Sequence, residues 1–494
     1  MFENWVIHAL SVLALIFIFV VGAIAFLAVV LFILDSNQRH DAVRRNYPVI
    51  GRFRDLFIKL GEFFRQYFFA LDREEMPFNR AEREWVYRAA SGRGNTIPFG
   101  STKILTQPGT SLFVNTPFPI QEEDREPSPP ILFGPYCATP YHAPSFFNIS
   151  GMSYGALSKP AIRALSMGAA KAGVWLNTGE GGLSPMHLEG GCDIVFQIGT
   201  AKYGVRNEAG LLDDDKLKAL SENPHVRMFE VKLSQGAKPG KGGILPAAKV
   251  TREIADIRGI PKGEASISPN RHPEIYDVKT LLDFIERVRA ITGKPTGFKC
   301  VLGSYGWLEE LCQAIQARGI ESAPDFITLD SGDGGTGAAP MPLMDNVGLL
   351  IRESLPLLID ILTRYGLKSR IRVIAAGKLI TPSGVAWALA VGADTVQSAR
   401  GFMFSLGCIQ SMKCHKNTCP TGVATHNKRL QRGLAPRQKA ETVAHYARNI
   451  IHDVETIAHS CGVPHPRRLS RQHVRIVQDP QHSIAMSDMT RPAE

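Results

Sequence analysis

A chain of 494 residues, 44% apolar and 21% charged, has room for a barrel domain with appendages or for two or three domains, and it is too ordinary in composition to be fibrous or disordered. Its formal charge of +10 suits an acidic partner or an anionic bilayer surface. No basic stripe interleaved with aromatics occurs, so nucleic acid is excluded as a partner.

From Val6 to Leu34 the residues are almost all apolar, with His8 the one titratable side chain. About 20 such residues cover a bilayer core, so the run is long enough to span with tilt. It lacks the basic leader, shorter apolar core and small-residue cleavage site of a signal peptide. Glu3 precedes it and Arg39, Arg44 and Arg45 follow, so residues 1–36 are expected to be a single-pass anchor in the cell membrane with the remainder on the cytoplasmic side. A buried core helix is the competing assignment.

Residues 37–145 are expected to be a juxtamembrane helix and an irregular lead-in. In "GRFRDLFIKLGEFFRQYFF", Phe53, Leu56, Phe57, Leu60, Phe63, Phe64, Tyr67 and Phe68 recur at helical spacing, with Arg52, Arg54, Lys59 and Arg65 elsewhere on the wheel. Such a helix either packs on the catalytic body or lies in the membrane interface. Residues 71–145 are charged and then proline-rich, with "EDREPSPP" as a loop.

From Phe147 short apolar or β-branched runs end in small residues and alternate with helical stretches: "FFNISG", "VWLNTG", "DIVFQIG", "MFEVKL", "TGFKCVLG", "DFITLDSG", "RVIAAG" and "DTVQSARG". Eight such strands predict an α/β fold, a (β/α)8 TIM barrel. The weakest link is "LLDDDKLKALSEN", which offers only a short helix. Chemistry in such barrels sits at the C-terminal strand ends, and a phosphate often sits at the loops after strands seven and eight. Here those loops are "AAGKL" and "SARG", where small residues let backbone N–H groups approach an anion and Lys378 or Arg400 adds charge.

Of eight cysteines, Cys137, Cys192, Cys300, Cys312 and Cys461 are scattered, as inert buried thiols are. Cys408, Cys414 and Cys419 fall within twelve residues, directly after the last strand. Three thiolates suit an iron–sulfur cluster; a zinc would want a fourth ligand, which His415 could supply.

Five segments, "SGMSYGALSKPA", "NTGEGG", "QGAKPGKGG", "SGDGGTGAAP" and "CHKNTCPTGVAT", stand in order over roughly residues 147–430 and together resemble the synthase domain of glutamate synthase, a flavin- and iron–sulfur-containing amidotransferase. The resemblance implies an FMN-binding domain over residues 146–435. It also implies a 3Fe–4S cluster on Cys408, Cys414 and Cys419 in a loop over 408–419, relaying electrons to the flavin. Met152, Ser153 and Tyr154 would lie along the isoalloxazine. Lys299 would stand near the flavin N1/O2 edge, unless it is a buried lysine paired with a carboxylate. Asp333, Gly334, Gly335 and Thr336 would line the loop after strand six, and Gly377, Lys378, Arg400 and Gly401 would take the phosphate. Lys238 and Arg258 would grip the carboxylates of a 2-oxoglutarate-like 2-oxo acid, with Arg258 as an exposed helix arginine the competing assignment. Glu180 would guide ammonia or transfer a proton as the imine forms. No G-x-G-x-x-G follows a strand, so electrons are expected from a ferredoxin-like or membrane donor rather than from a bound nicotinamide.

Three departures qualify what the resemblance implies. Met1 is followed by Phe2 and an apolar run, so the family's N-terminal glutaminase is not expected here, and ammonia would be free or come from a separate glutaminase subunit. Lys241 stands where the family has an acid and Ile244 where it has a glutamine, which points to a different substrate or a different mode of binding it. The expected anchor is the third. Two other functions fit the same motifs: an N-methylglutamate-synthase-like amine transferase, and a membrane-linked electron-transfer subunit without its own substrate. Residues 436–494 are expected to be a helix, a basic solvated stretch "PRRLSRQHVR" and a mobile tail.

Overall fold

A computed structural model describes residues 2–489, with side chains from Trp5 onward. The chain divides into two compact units, residues 1–81 and 82–494.

The first unit opens with helix α1 (Phe2–Asn37). Residues Trp5–Asn37 are long and apolar enough to cross a membrane, with an 18-residue stretch of mean hydropathy 3.3, none of which is buried in protein. At its end Asp35 is buried, and its carboxylate accepts from the Arg52 guanidinium at 2.7 Å and from the Val49 N–H at 3.0 Å. Gln38 closes the connection by donating to the Asp35 and Asp41 carbonyls. That clamp starts helix α2 (Gly51–Phe64) beside the end of α1, and α2 runs into one wide turn over Arg65–Phe69.

The second unit is the barrel. Its strands are β1 (Phe147–Ile149), β2 (Leu176–Asn177), β3 (Ile194–Ile198), β4 (Val226–Lys232), β5 (Thr296–Val301), β6 (Phe326–Asp330), β7 (Arg372–Ala375) and β8 (Thr395–Ser398). Seven lie within the expected runs, and β4 begins two residues before "MFEVKL", at Val226. All neighbours are parallel, and Ser398 pairs with Ile149 to close the cylinder. Nearly every strand position is buried, which is why these runs read as continuously apolar rather than alternating.

Helix α3 (Lys159–Ala172) follows β1. The Ser158 hydroxyl accepts from the Ala161 N–H, Pro160 sits in the first turn, and Gly173 stops the helix in the left-handed region at φ 67°. Between β2 and β3 there are only two short turns, Gly179–Gly181 and Pro185–Leu188, and "DDKLKALS" is the short helix expected after β3. Helix α4 (Arg252–Arg258) sits on the long excursion after β4, flanked by the two-stranded hairpin Ile244–Leu245 and Ser266–Ile267. The longest helix of this unit, α5 (Pro436–Ser460), packs against α3. Gly168 makes that contact close, since a Cβ there would lie 2.4 Å from Val443 Cγ1.

Three expectations need correction. Residues 71–145 are not wholly irregular: Ile131–Phe133 and Tyr141–Ala143 form a hairpin, and Phe133 and Tyr141 join Trp175, Val195, Met228, Phe326 and Ile374 in one buried cluster near the N-terminal strand ends. The tail is not mobile as far as Met489. Val474–Asp479 and His482–Ala485 form a hairpin that pairs with Ser111–Phe113, a partner no local pattern could reveal. The basic stretch before it is not simply solvated either. Arg467 donates to the Pro129 and Asp394 carbonyls, and Arg471 pairs with Asp360 at 2.6 Å. The expected mobility of residues 490–494 falls outside the described residues.

Candidate active site

The loops leaving the C-terminal ends of the strands surround an open cavity of about 880 Å³, the solvent at its mouth included. It merges with a second of about 520 Å³ over β5 to β8 through shared walls at Gly151, Gln197, Lys232 and Arg400. Six cations (Lys232, Lys238, Arg258, Lys299, Lys378, Arg400) and two carboxylates (Glu180, Asp330) line the two cavities, so the site suits an anionic ligand.

Glu180 lies in the tight turn after β2. Two glycines make room for it: a Cβ at Gly199 would lie 2.6 Å from Glu180 Cβ, and one at Gly243 would lie 2.4 Å from its Oε1. The Lys232 Nζ, at the end of β4, donates to Glu180 Oε1 at 2.6 Å. Burial would raise the Glu180 pKa, but Lys232, Lys238 and Arg258 outweigh it and hold the carboxyl below the usual range.

Lys238 is 5% exposed, and among the described residues no carboxylate lies within ion-pair distance of its Nζ. Burial and then repulsion by Lys232 push its pKa down to about 8, with Glu180 opposing. Arg258, on the last turn of α4, is 4% exposed rather than a solvated helix arginine. Its Nη1 donates to Ser266 Oγ at 3.0 Å, its Nη2 to the Tyr154 carbonyl at 3.3 Å, and its guanidinium lies 5.0 Å from the centre of the Tyr203 ring. Among the described residues Arg258 Nε has no hydrogen-bond partner. Two buried cations are thus held mainly by neutral groups beside one carboxylate that is already paired to a third.

Met152 and Ser153 line the larger cavity, as do Gly335, Thr336 and Arg400. Lys299, Gly377 and Lys378 line the smaller. Lys299 pairs with Asp330 at 3.0 Å; burial would lower its pKa, but Asp330 and Glu230 raise it overall, so it stays a cation at the barrel centre. Lys378 pairs with Asp333 at 2.8 Å, and Arg400 donates to the Thr336 carbonyl.

Some expected residues do not reach the cavities. Tyr154 is buried behind the wall, where its hydroxyl donates to Glu253 at 2.6 Å. Asp333 and Gly334 support their loop from beneath: Asp333 accepts from Ser331 Oγ, and a Cβ at Gly334 would lie 2.9 Å from Asp330 Oδ1. Gly401 is small for a packing reason, because its Cβ would meet the Tyr446 hydroxyl at 2.0 Å. Gly377 has such a reason too, at 2.3 Å from Ser331 Cβ.

All eight cysteines are free thiols. Cys414 borders the larger cavity, while Cys408 and Cys419 are buried beside it. Burial pushes the Cys408 thiol up to about 11, with Cys414 and Cys419 adding to the rise. Among the described residues no three of His, Cys, Asp and Glu converge closely enough to hold a metal ion. The loop carries three non-glycine residues with left-handed backbone, Gln410, Met412 and Asn417, at φ 57°, 52° and 59°. Lys249 braces it: its buried Nζ donates to the Ala156 carbonyl at 2.7 Å and the Cys414 carbonyl at 3.2 Å.

Several lining residues escaped the sequence reading. Lys232 is one; Gln197 and Gln397 are others, Gln397 carrying an Nε2 with no hydrogen-bond partner although the residue is 1% exposed. Beneath them Glu230 accepts from Asn177, Gln197 and Thr328 across the barrel interior. The available signal was "FEVK", a carboxylate and an ammonium two apart at the end of a strand whose other charge, Arg227, is exposed.

The family model described as the conserved region in glutamate synthase matches residues 132–464. The glutamate synthase large subunit-like protein YerD of Bacillus subtilis (strain 168) is 39% identical over 499 residues, covering 92% of this chain and 94% of that protein. The archaeal-type glutamate synthase [NADPH] of Thermotoga maritima is 32% identical over 316 residues, covering 64% of this chain and 59% of that protein. Among solved structures, a mandelate oxidase variant with 2-hydroxy-phenylacetamide matches at a TM-score of 0.45 and 15% identity, covering 80% of this chain and 90% of that one. The matched region takes in the whole barrel, the cysteine loop and all of α5, and on these grounds the chain belongs to the glutamate synthase family.

Proposed function

We propose that this glutamate-synthase-family oxidoreductase uses FMN and a 3Fe–4S cluster to reduce a 2-imino acid, formed from a 2-oxo acid and ammonia, to an L-amino acid. The observation that carries the reading is the buried pair Lys238 and Arg258, cations without a partner carboxylate flanking Glu180 at the mouth of the barrel. An electron conduit has no use for such a pair, whereas a dicarboxylate supplies the missing counter-charges.

The residues present fit a flavin. The unpartnered Gln397 Nε2 and the glycine turn at Gly151 face the smaller cavity, with Lys299 as a fixed cation and Lys378 and Arg400 at its rim. Bound there, FMN would supply hydride transfer. The cysteine loop fits a thiolate-held cluster by donor chemistry: three soft sulfurs, and Lys249 as a buried cation with no carboxylate partner among the described residues.

Around them the chain's own side chains do the rest. Lys238 and Arg258 would bind and orient the substrate carboxylates. Glu180, held ionised by Lys232, would take up or return the proton at the substrate nitrogen as ammonia adds and water leaves. Ile244 and Leu245 give the larger cavity an apolar wall on one side; Lys241 is exposed and outside the lining, so only the Ile244 departure touches the site.

In this reading α1 anchors the enzyme in the cell membrane with the barrel on the cytoplasmic side. A ferredoxin-like or membrane carrier supplies electrons, and a separate glutaminase subunit or free ammonium supplies nitrogen. The test is anaerobic reduction of the detergent-solubilised protein followed by stopped-flow mixing with 2-oxoglutarate, with and without ammonium. Flavin reoxidation that needs both substrates is the expected result. A reduced flavin that ignores both sinks the assignment.

A further inference from the structure

We infer that residues 51–69 form a second membrane contact, an amphipathic helix lying in the headgroup region of an anionic leaflet at the level where α1 leaves the bilayer. The inference rests on α1 as a span and goes beyond it.

The position of the helix comes from the Asp35 clamp. Asp35 is two residues from the end of the apolar helix, and its carboxylate holds both the Arg52 guanidinium and the Val49 N–H. The carboxylate of Asp55, one turn further on, pairs with Arg44. The first turn of α2 is therefore fixed at the end of the span, at the depth where hydrocarbon gives way to headgroups.

Its surface fits that depth. At 100° per residue, Phe53, Leu56, Phe57, Leu60, Phe63 and Phe64 fall within an arc of about 120°. All six are exposed, between 39% and 65%. Tyr67, Phe68 and Phe69 extend the apolar surface, and the rings of Phe63, Phe64, Tyr67 and Phe68 contact one another. Exposed apolar surface on this scale marks an interaction site. The opposite side carries Arg54, Asp55, Lys59, Glu62 and Arg65, and residues 38–69 hold seven Lys or Arg against three acids. Aromatic residues with basic flanks are the composition that partitions to an anionic bilayer surface.

The occupant is thus lipid, and the experiment separates it from protein or water. The full chain is reconstituted into vesicles of zwitterionic and anionic phospholipid, with and without brominated acyl chains, and tryptophan emission is compared. Of the five native tryptophans only Trp5 lies in the first unit, so quenching in the parent protein reports the span. Phe57→Trp and Phe64→Trp are then compared with Glu62→Trp on the opposite side. The expected result is loss of the added emission for Phe57→Trp and Phe64→Trp, strongest with bromines near the headgroups, and no loss for Glu62→Trp. Trp5 quenched while the two added tryptophans are not overturns the inference and leaves the span intact, because protein or water then covers the helix. Equal quenching of all three also overturns it, since the helix is then immersed. An unquenched parent removes the span and the inference together. Either of the two phenylalanine positions suffices should the other variant fail to fold.

Discussion

The Lys232 ammonium lies 2.6 Å from Glu180 Oε1, and both groups are largely shielded from water, so the one carboxylate of the larger cavity is committed to an ion pair before any ligand arrives. Lys238 and Arg258 keep their charge for the substrate. Glu180→Gln leaves Lys232 without its partner and removes the proton carrier. The expected loss is about 10²–10⁴-fold in kcat, with a smaller change in KM. Steady-state kinetics on both substrates check it, and a pure KM effect would place Glu180 in binding alone.

Lys238 sets a pH dependence whose sign can be worked out. Its pKa falls from 10.5 to about 8, so it loses its charge as pH rises through about 8. Substrate KM is expected to climb above that pH, and Lys238→Met should raise KM at all pH values, at a cost of about 2–5 kcal/mol in binding. Stability runs the other way. Between about 8 and 10.5 the unfolded chain holds more protons on this group than the folded one, so its contribution to ligand-free stability grows with pH. Melting curves with and without the 2-oxo acid should therefore converge as pH rises through this window.

Gly401 and Tyr446 are coupled by shape. A Cβ at position 401 would lie 2.0 Å from the tyrosine hydroxyl, which itself donates to the Ile380 carbonyl at 3.0 Å. Gly401→Ala is expected to destabilise by about 1–3 kcal/mol through overpacking. Tyr446→Phe alone loses one hydrogen bond, about 0.5–1.5 kcal/mol. The double variant should cost less than the two added together, and a double-mutant cycle from denaturant unfolding measures that coupling.

Lys249 holds the turn after β1 to the cysteine loop through two carbonyls. Lys249→Met strips both of their donor and should cost about 1–3 kcal/mol locally. In iron-free protein the Cys414 thiol is expected to alkylate faster than in the parent, and iron content after reconstitution should fall. Lys249→Arg should recover part of both. Unchanged alkylation would show that the loop holds its shape without the brace.

The barrel was legible because nearly every strand position is buried and seven of the eight runs end in glycine, "MFEVKL" being the exception. Two of the five motifs hold Glu180 and Lys238, and the family resemblance added Arg258; the fold brings all three to one cavity. What stayed hidden shares a cause. A glycine that seats a tyrosine, as Gly401 does, is spelled like one that admits a phosphate. Tyr154 stands between cavity-lining residues yet turns into the wall toward Glu253. Lys232 reads as the polar end of a strand until the turn bearing Glu180 is folded against it. The terminal hairpin finds its partner at Ser111–Phe113, far beyond the reach of any periodicity.

That hairpin also orders events in time. Ser111 pairs with Ile476, and the barrel closes only when Ser398 meets Ile149. A ribosome releases the chain from its N-terminus, so α1 leaves the exit tunnel hundreds of residues before either contact can form. The lead-in edge then stays open until residues 474–476 have emerged. A stalled or truncated product would thus present an unpaired strand and an unclosed cylinder, the features by which quality control recognises an unfinished protein.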